Sequence, residues 1–289
     1  MEKTDINWLH VELSSKCNAW CPACPRNENG MGLVPGLVEQ DLSTDRYLEV
    51  LQQLPNLHAV QLCGNFGDPM AASNILDIID ISKKFVKKIQ IHTNGSLRST
   101  GWWYDFAAVL SGVDHDVWFA IDGLAGIHEI YRQGTNYQKI IDNATAFIDN
   151  GGHATWQFIP YAHNEHQIKD CIKTSQQLGF KKFKLVKLYR DKKMVKHYKS
   201  GESFELLPPK EFQHIIRMPG QNDIVNPTDC MHLSIPSVYL AADGRLSNCC
   251  YFALEKKNPT FDTVEELLYN NLNLTQTTCL ENCGTKNEN

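Results

Sequence analysis

Nowhere does this 289-residue chain approach the roughly 20 consecutive apolar residues that a bilayer-crossing helix needs. No membrane span is expected. Positive charge is not in excess: 28 Lys and Arg stand against 33 Asp and Glu, a net charge of -5. Nucleic-acid surfaces are ordinarily basic, so no nucleic-acid partner is expected. The basic stretch from Lys181 to Lys199 reads as a solvated face. Met1–Asp5 leads into no long apolar segment of the kind that marks a secretory leader. Internal repeats and low-complexity tracts are missing too. A soluble, cytoplasmic protein is expected. Its 42% hydrophobic content and its length suit one large domain, or one large and one small.

Cysteine is plentiful. Of the ten cysteines, three lie at 17–24 and five at 230–283, with only Cys63 and Cys171 between. The first group reads Cys17-Asn18-Ala19-Trp20-Cys21-Pro22-Ala23-Cys24, a C-x3-C-x2-C run directly after the apolar stretch Trp8–Leu13. Disulfides are scarce in the cytosol. Structural zinc wants four ligands, usually as two short-spaced pairs, and this trio is crowded for that. Three thiolates on one loop suit three irons of a [4Fe-4S] cube whose fourth iron stays open for a substrate or cofactor. Zinc stays as the alternative. Cys171 reads as a small apolar residue.

Apolar strands alternate with helical spacing up to about residue 190. The strands expected are Leu9–Leu13, Ala59–Leu62, Lys88–His92, Asp116–Ile121, Ala154–Ile159 and Lys182–Leu188. Helical faces include Ile75-Ile78-Ile79 with Phe85, and Ile140-Ile141-Ala144-Phe147-Ile148. Such alternation predicts an α/β fold, a partial (β/α)6 barrel of parallel strands. The barrel core is assigned to 1–215. Pro208-Pro209 and Met218-Pro219-Gly220 punctuate a connector, and 216–289 reads as a small cysteine-rich domain held by metal. Chemistry in parallel barrels gathers at the C-terminal ends of the strands. Cys17, the run Cys63–Asp68, Asn94 and Asp122 all follow strands and share that end.

Together these motifs resemble the radical SAM enzymes. The resemblance implies that Cys17, Cys21 and Cys24 bind a [4Fe-4S] cluster whose open iron takes S-adenosylmethionine. One electron then cleaves the cofactor, and the resulting 5′-deoxyadenosyl radical removes a hydrogen atom from substrate. The family's aromatic residue before the third cysteine is replaced by Ala23, which leaves Trp20 to pack against adenine. Phe66-Gly67-Asp68-Pro69 resembles the family's Gly-Gly-Glu-Pro. There Gly67 is expected to admit the backbone close to the ligand, and Asp68 to accept from its ammonium group. Thr93-Asn94-Gly95 and Ala120-Ile121-Asp122-Gly123 resemble two further turns, making Asn94 and Asp122 cofactor contacts. Arg132, in the run His128–Gly134, is the candidate for the cofactor's carboxylate. Gln157 is a candidate contact to cofactor or substrate.

The C-terminal group, Cys230-x13-Gly244-x4-Cys249 followed by Cys279-x3-Cys283, resembles the SPASM and twitch auxiliary-cluster regions. Five cysteines imply one auxiliary [4Fe-4S] cluster on Cys230, Cys249, Cys279 and Cys283, with Cys250 an alternate for Cys249. A four-cysteine zinc site is the alternative. Such a cluster implies net oxidation of a small molecule or peptide, with the electron passed to the auxiliary centre. The rival is a redox-neutral epimerisation or rearrangement that uses Cys63 or Cys250 as hydrogen donor. A non-catalytic iron–sulfur or zinc scaffold is a third reading. The resemblance also implies a flavodoxin or ferredoxin as electron donor. The first strand starts almost at once, which favours a small molecule or a peptide held by the barrel itself. Substrate contacts are expected from the 190–230 connector, where Tyr189, Arg190 and His197 lie.

Overall fold

The computed structural model describes residues 2–186, 194–211, 236–250 and 260–270. In chain order the strands are β1 (Trp8–Val11), β2 (Asn27–Glu28), β3 (Met31–Leu33), β4 (Ala59–Leu62), β5 (Lys88–Thr93), β6 (Asp114–Ala120), β7 (Ala154–Phe158), β8 (Lys182–Leu185), β9 (Met194–Lys196), β10 (Ser203–Glu205), β11 (Ser237–Leu240) and β12 (Leu246–Ser247). The helices that matter to the site are α1 (Thr44–Gln52), α2 (Ile75–Phe85), α3 (Thr100–Val109), α4 (His128–Tyr131), α5 (Tyr137–Asp149) and α6 (Ile168–Gln177).

Eight strands form one sheet in the order β12-β11-β1-β4-β5-β6-β7-β8. The six strands expected from the sequence run consecutively and in parallel from β1 to β8. The sequence reading missed the other edge of the sheet. β11 pairs in parallel with β1, Trp8 opposite Ser237 and Val11 opposite Leu240, and β12 turns back against it. No local pattern announces a pairing between segments more than 200 residues apart. Val238, Leu240, Leu246, Phe261, Val264 and Leu267 share the barrel's hydrophobic core, so the described parts of 216–289 continue that sheet and core. Gly244 of the C-terminal motif makes the β11–β12 turn at φ 86°, a conformation that suits glycine.

Each sheet strand sends alternate residues to opposite faces. On β5, Ile89, Ile91 and Thr93 are buried while Lys88, Gln90 and His92 are half-buried. The buried series, with Val11, Leu62, Phe119, Trp156 and Phe158, meets the helices in the main core. The helices start where short polar side chains cap them. Ser43 caps α1, Ser99 caps α3 and Asn136 caps α5, each accepting from an N–H three residues on. The expected apolar faces of α2 and α5 are buried except at their ends, where Phe85 is exposed and Ile148 half-buried. No helix among the described residues is long and apolar enough to cross a membrane.

Candidate active site

Cys17, Cys21 and Cys24 form no disulfide and lie on the loop that leaves β1, at the C-terminal edge of the sheet. Each sulfur meets a different part of the barrel. The Ala19 amide and Asn94 Nδ2 donate to Cys17 Sγ at 3.3 and 3.6 Å. Arg132 Nη1 donates to Cys21 Sγ at 3.7 Å. Cys24 Sγ lies 3.9 Å from the Asn65 carbonyl oxygen. Burial pushes the Cys21 thiol up to about 11 against the pull of Arg132, and burial with Asp68 nearby pushes Cys17 up as well. N–H groups aimed at sulfur favour thiolates, the form that ligates iron. In a cube each thiolate binds its own iron. Three thiols on one loop are the donor set that a three-thiolate cluster takes.

A small apolar shell flanks the loop. Ala19, Ala23, Tyr131, Tyr161, Val195 and Leu206 pack around the cysteines, with Phe204 and Ile159 beside them. Val195, Phe204 and Leu206 belong to the hairpin β9–β10 and its exit, which lies over the cysteine loop. The Lys196 amide donates to Asn29 O, and a Cβ on Gly30 would lie 2.1 Å from Lys196 O. Trp20 stacks on Tyr198 of this hairpin at 6.0 Å. His197 accepts from the Ser200 amide and closes the hairpin turn. Tyr189 and Arg190 lie outside the described residues.

The loop after β4 is held by a residue the sequence reading missed. Glu12, 2% exposed, accepts from the Phe66 and Gly67 amides on Oε1 (2.6 and 3.2 Å) and from the Tyr239 hydroxyl on Oε2 (2.8 Å). Burial pushes its carboxyl up, and these donors draw it back. A trans peptide points its C=O opposite its N–H. Anchoring the two amides on Glu12 therefore turns Asn65 O toward Cys24 and Phe66 O toward Arg26. Arg26, also missed and also buried, donates to Ser15 O, Phe66 O and Glu39, tying the cysteine loop to the β4 loop. Gly67 packs closely against the cysteine loop. Its Cβ would fall 1.8 Å from Ser14 O, so its close approach is to the cysteine loop. Asp68 is engaged by the protein itself. Both its oxygens are already engaged, by Thr93 Oγ1 (2.8 and 3.0 Å), Asn94 N (2.7 Å) and Met70 N (2.9 Å). It pins the Thr93-Asn94-Gly95 turn to the β4 loop. Asn143 of α5 holds the same turn through Gly95 O at 2.8 Å.

Asp122 and Arg132 pair at 2.6 Å through Arg132 Nε. Asp122 is fully buried, and its other oxygen accepts from the Ile159 amide at 2.6 Å. Burial pushes the Asp122 carboxyl up, while Arg132 and that amide oppose it. Burial alone would lower Arg132, but Asp122 and Cys21 beside it hold it well above its ordinary value. The expectation for Arg132 was a cofactor carboxylate. In the protein its Nε and Nη1 are directed at Asp122 and Cys21.

His128 orders this pair. The Asp122 amide donates to its Nδ1 at 3.1 Å, so Nε2 carries the proton and meets Thr135 Oγ1 at 3.0 Å. Thr135 in turn donates to Arg132 O. Burial, then the nearby Arg132 charge, pulls the His128 pKa down to about 3. An unfolded histidine titrates near 6.5. The stability that depends on a neutral His128 is therefore intact above about 6.5 and drains as pH falls from there toward about 3. Urea unfolding of His128→Asn at several pH values should show about one proton fewer taken up between pH 6 and 4 than in the parent chain. An unchanged pH slope would contradict this.

Gln157 faces the inside of the barrel and hydrogen-bonds with His92. Cys63 follows β4 and carries its carbonyl to His10 Nε2 at 2.6 Å. Of the C-terminal cysteines, Cys249 and Cys250 follow β12. The Cys249 carbonyl accepts from Ser247, and the Cys250 carbonyl from Asn65 Nδ2 at 2.8 Å. Asn65 thus touches both cysteine groups. Cys230, Cys279 and Cys283 lie outside the described residues.

No protein-family model matches the chain, and no curated protein matches its sequence. Solved structures do match. Streptococcus suis SuiB bound to S-adenosylmethionine aligns over 89% of this chain and 63% of its own, at TM-score 0.63 and 12% identity. Native anSMEcpe with bound AdoMet aligns over 95% and 82%, at TM-score 0.61 and 14% identity. SuiB bound to precursor peptide SuiA aligns over 89% and 62%, at TM-score 0.60 and 12% identity. The chain spans less than two thirds of the length of SuiB. With eight mostly parallel strands, three cysteines after the first and these structural neighbours, the chain has the partial-barrel fold of the radical SAM enzymes.

Proposed function

We propose that the chain is a radical SAM enzyme whose [4Fe-4S] cluster is held by Cys17, Cys21 and Cys24. The observation that carries this is the meeting of the three thiols of the cysteine loop with Asn94, Arg132 and the Glu12-anchored β4 loop at the C-terminal end of the barrel. When bound, such a cluster with S-adenosylmethionine supplies reductive cleavage of the sulfonium and a strong hydrogen-atom acceptor. The chain's own residues bind, orient and shield. Asn94 and Arg132 donate to the sulfurs, and hydrogen bonds to thiolates tune such a centre. Asp122 and His128 fix the Arg132 side chain. Glu12 and Arg26 fix the carbonyls of the β4 loop. The hairpin β9–β10, Tyr131 and Tyr161 exclude water, which protects a reactive intermediate from side reactions.

The substrate is a peptide or a small molecule. SuiB and anSMEcpe both have structures with peptides bound, which supports the peptide class. A second cluster on Cys230, Cys249, Cys279 and Cys283 makes net oxidation the leading outcome, with a flavodoxin or ferredoxin as reductant. The redox-neutral alternative is kept for one reason: Cys63 continues the inward series Ala59, Gln61 on β4, within electrostatic reach of Tyr239. Anaerobic reconstitution tests the cluster assignment. The expected result is about eight irons with matching sulfide, falling to about four in Cys17/Cys21/Cys24→Ala. Zinc in place of iron at full occupancy would defeat the reading.

A further inference from the structure

The hairpin β9–β10 is built differently from the sheet beside it. Among the described residues its two strands pair with each other and with no strand of the eight-stranded sheet. A two-stranded hairpin is marginally stable by itself in water, so this one depends on what it docks against. Its two faces are unequal. Val195, opposite Phe204 in the register, is buried and Phe204 is half-buried, while Met194, Lys196, Ser203 and Glu205 are exposed. Val195, Phe204 and Leu206 join the apolar cluster of Ala19, Cys21 and Ala23, with Tyr131 and Tyr161, and none of the three belongs to the main core. The hairpin therefore draws its apolar contacts from the cysteine loop and its surroundings, apart from the core that holds the barrel together.

Its arm is tied down lightly and its base firmly. Along the arm, Lys196 N donates to Asn29 O at 2.8 Å and Tyr198 N to Gln133 Oε1 at 2.9 Å. The Tyr198 ring stacks on Trp20, whose amide donates to Gln133 O at 2.7 Å, so Gln133 touches both the hairpin and the loop beneath it. At the turn, a Cβ on Gly201 would stand 3.5 Å from Met31 Sδ, an ordinary contact with a flexible side chain. Past β10 the chain is anchored by its backbone. Ala162 N donates to Leu207 O at 3.0 Å, and the Glu165 carboxylate accepts from the Lys210 and Glu211 amides at 3.0 and 2.9 Å. The hairpin reaches from that anchor to Asn29 and Trp20.

We propose that β9–β10 is a lid over Cys21 that opens on its Leu207–Glu211 anchor while the barrel stays folded, and that the open state is the route by which iron and sulfide reach the three thiols. The second half rests on the enzyme reading above; the first does not. Local opening occurs where few apolar contacts hold a segment and its hydrogen bonds border solvent, which describes this arm. Cys21 is 7% exposed, whereas Cys17 and Cys24 are half-buried. Cys21 is thus the thiol that the docked hairpin closes off, and ligation by all three requires that it be uncovered first. Once the lid is down, Val195 and Leu206 sit against the loop again.

The test starts from the full chain before iron is added. Labelling by iodoacetamide is followed cysteine by cysteine with mass spectrometry, at urea concentrations below the unfolding transition. Cys171, 0% exposed under α6 in the main core, is the internal reference. Cys21 should label faster than Cys171, at a rate that hardly changes with urea, because a lid exposes little surface. Cys171 should speed up steeply with urea, because uncovering it takes unfolding of the barrel. Tyr198→Ser removes the stack on Trp20 and should speed Cys21 about 3–10-fold, the worth of one aromatic pair, with Cys171 unchanged. Val195→Ala must act in the same direction. Equal rates or equal urea dependence for the two cysteines, or variants that speed both alike, would overturn the lid. The second readout is absorbance during uptake of ferrous iron with sulfide, and during its loss to a chelator. Both should quicken in Tyr198→Ser by the factor seen for Cys21. Unchanged uptake beside faster labelling would overturn the route. A wild-type chain that takes up no iron, while Cys21 still opens apart from Cys171, would support the lid and remove the enzyme reading.

Discussion

Asp122→Ala should destabilise the protein by about 3–5 kcal/mol, the usual cost of removing one partner from a buried ion pair. The loss is double. Arg132 keeps its charge in a site where its side chain is 14% exposed, and the Ile159 amide loses its acceptor. Asp122→Asn is milder, because an amide oxygen still serves Ile159. Removing both charges with Asp122→Leu/Arg132→Met should recover stability relative to Asp122→Ala, since no buried charge then stands alone. That double variant should nevertheless lose function, because Cys21 loses its donor. The exposed Asp243–Arg245 pair gives the contrast, and Asp243→Ala should change stability by about 0–1 kcal/mol. Urea unfolding of the five chains measures all of this. A drop below about 1 kcal/mol for Asp122→Ala would refute the central place given to the pair.

The second large effect is steric. Gly67→Ala sets a Cβ 1.8 Å from Ser14 O and 2.6 Å from Ser14 C, both backbone atoms in the loop that leads to Cys17. Flexible side chains can step aside from such a clash; a backbone tied down by Ser15–Gln40 and Arg26–Ser15 hydrogen bonds cannot. Overpacking of this kind costs about 1–3 kcal/mol and more where the neighbour is fixed. Gly67→Ala should fall at or beyond the upper end, with reconstituted iron reduced in step. Gly101 is the control. It lies in α3 with nothing within 4 Å of its would-be Cβ, so Gly101→Ala should stabilise by about 0.5–1 kcal/mol. Thermal unfolding and iron content are the measurements. Equal behaviour of the two variants would contradict the loop contact.

The parts of the fold that were legible in the sequence are local. Alternating apolar strands and amphipathic helices mark β1 through β8 because neighbouring elements in this barrel are also neighbours in the chain. The cysteine run, Thr93-Asn94-Gly95 and Asp122-Gly123 were readable because turns at strand ends use few residue types. What escaped is non-local. Glu12 sits in an apolar stretch, and only its meeting with Phe66, Gly67 and Tyr239 explains a buried carboxylate there. Arg26 reads as a surface residue until Ser15, Phe66 and Glu39 close around it. β11 finds its partner more than 220 residues upstream. The polar series His10, Gln61, Gln90 and His92 dilutes the apolar pattern in sequence and becomes a lining only once the sheet curves. Asp68, Gly67 and Trp20 were read as ligand contacts because their motifs stand beside the cysteine loop. In the structure their visible partners are Thr93 and Asn94, the Ser14 backbone, and Tyr198.

The most direct measurement is dithionite-driven cleavage of S-adenosylmethionine by anaerobically reconstituted protein, read as 5′-deoxyadenosine and methionine. Wild type should form both, and Cys17/Cys21/Cys24→Ala should form neither above background. Wild type that holds its iron and sulfide yet leaves S-adenosylmethionine intact would contradict the account.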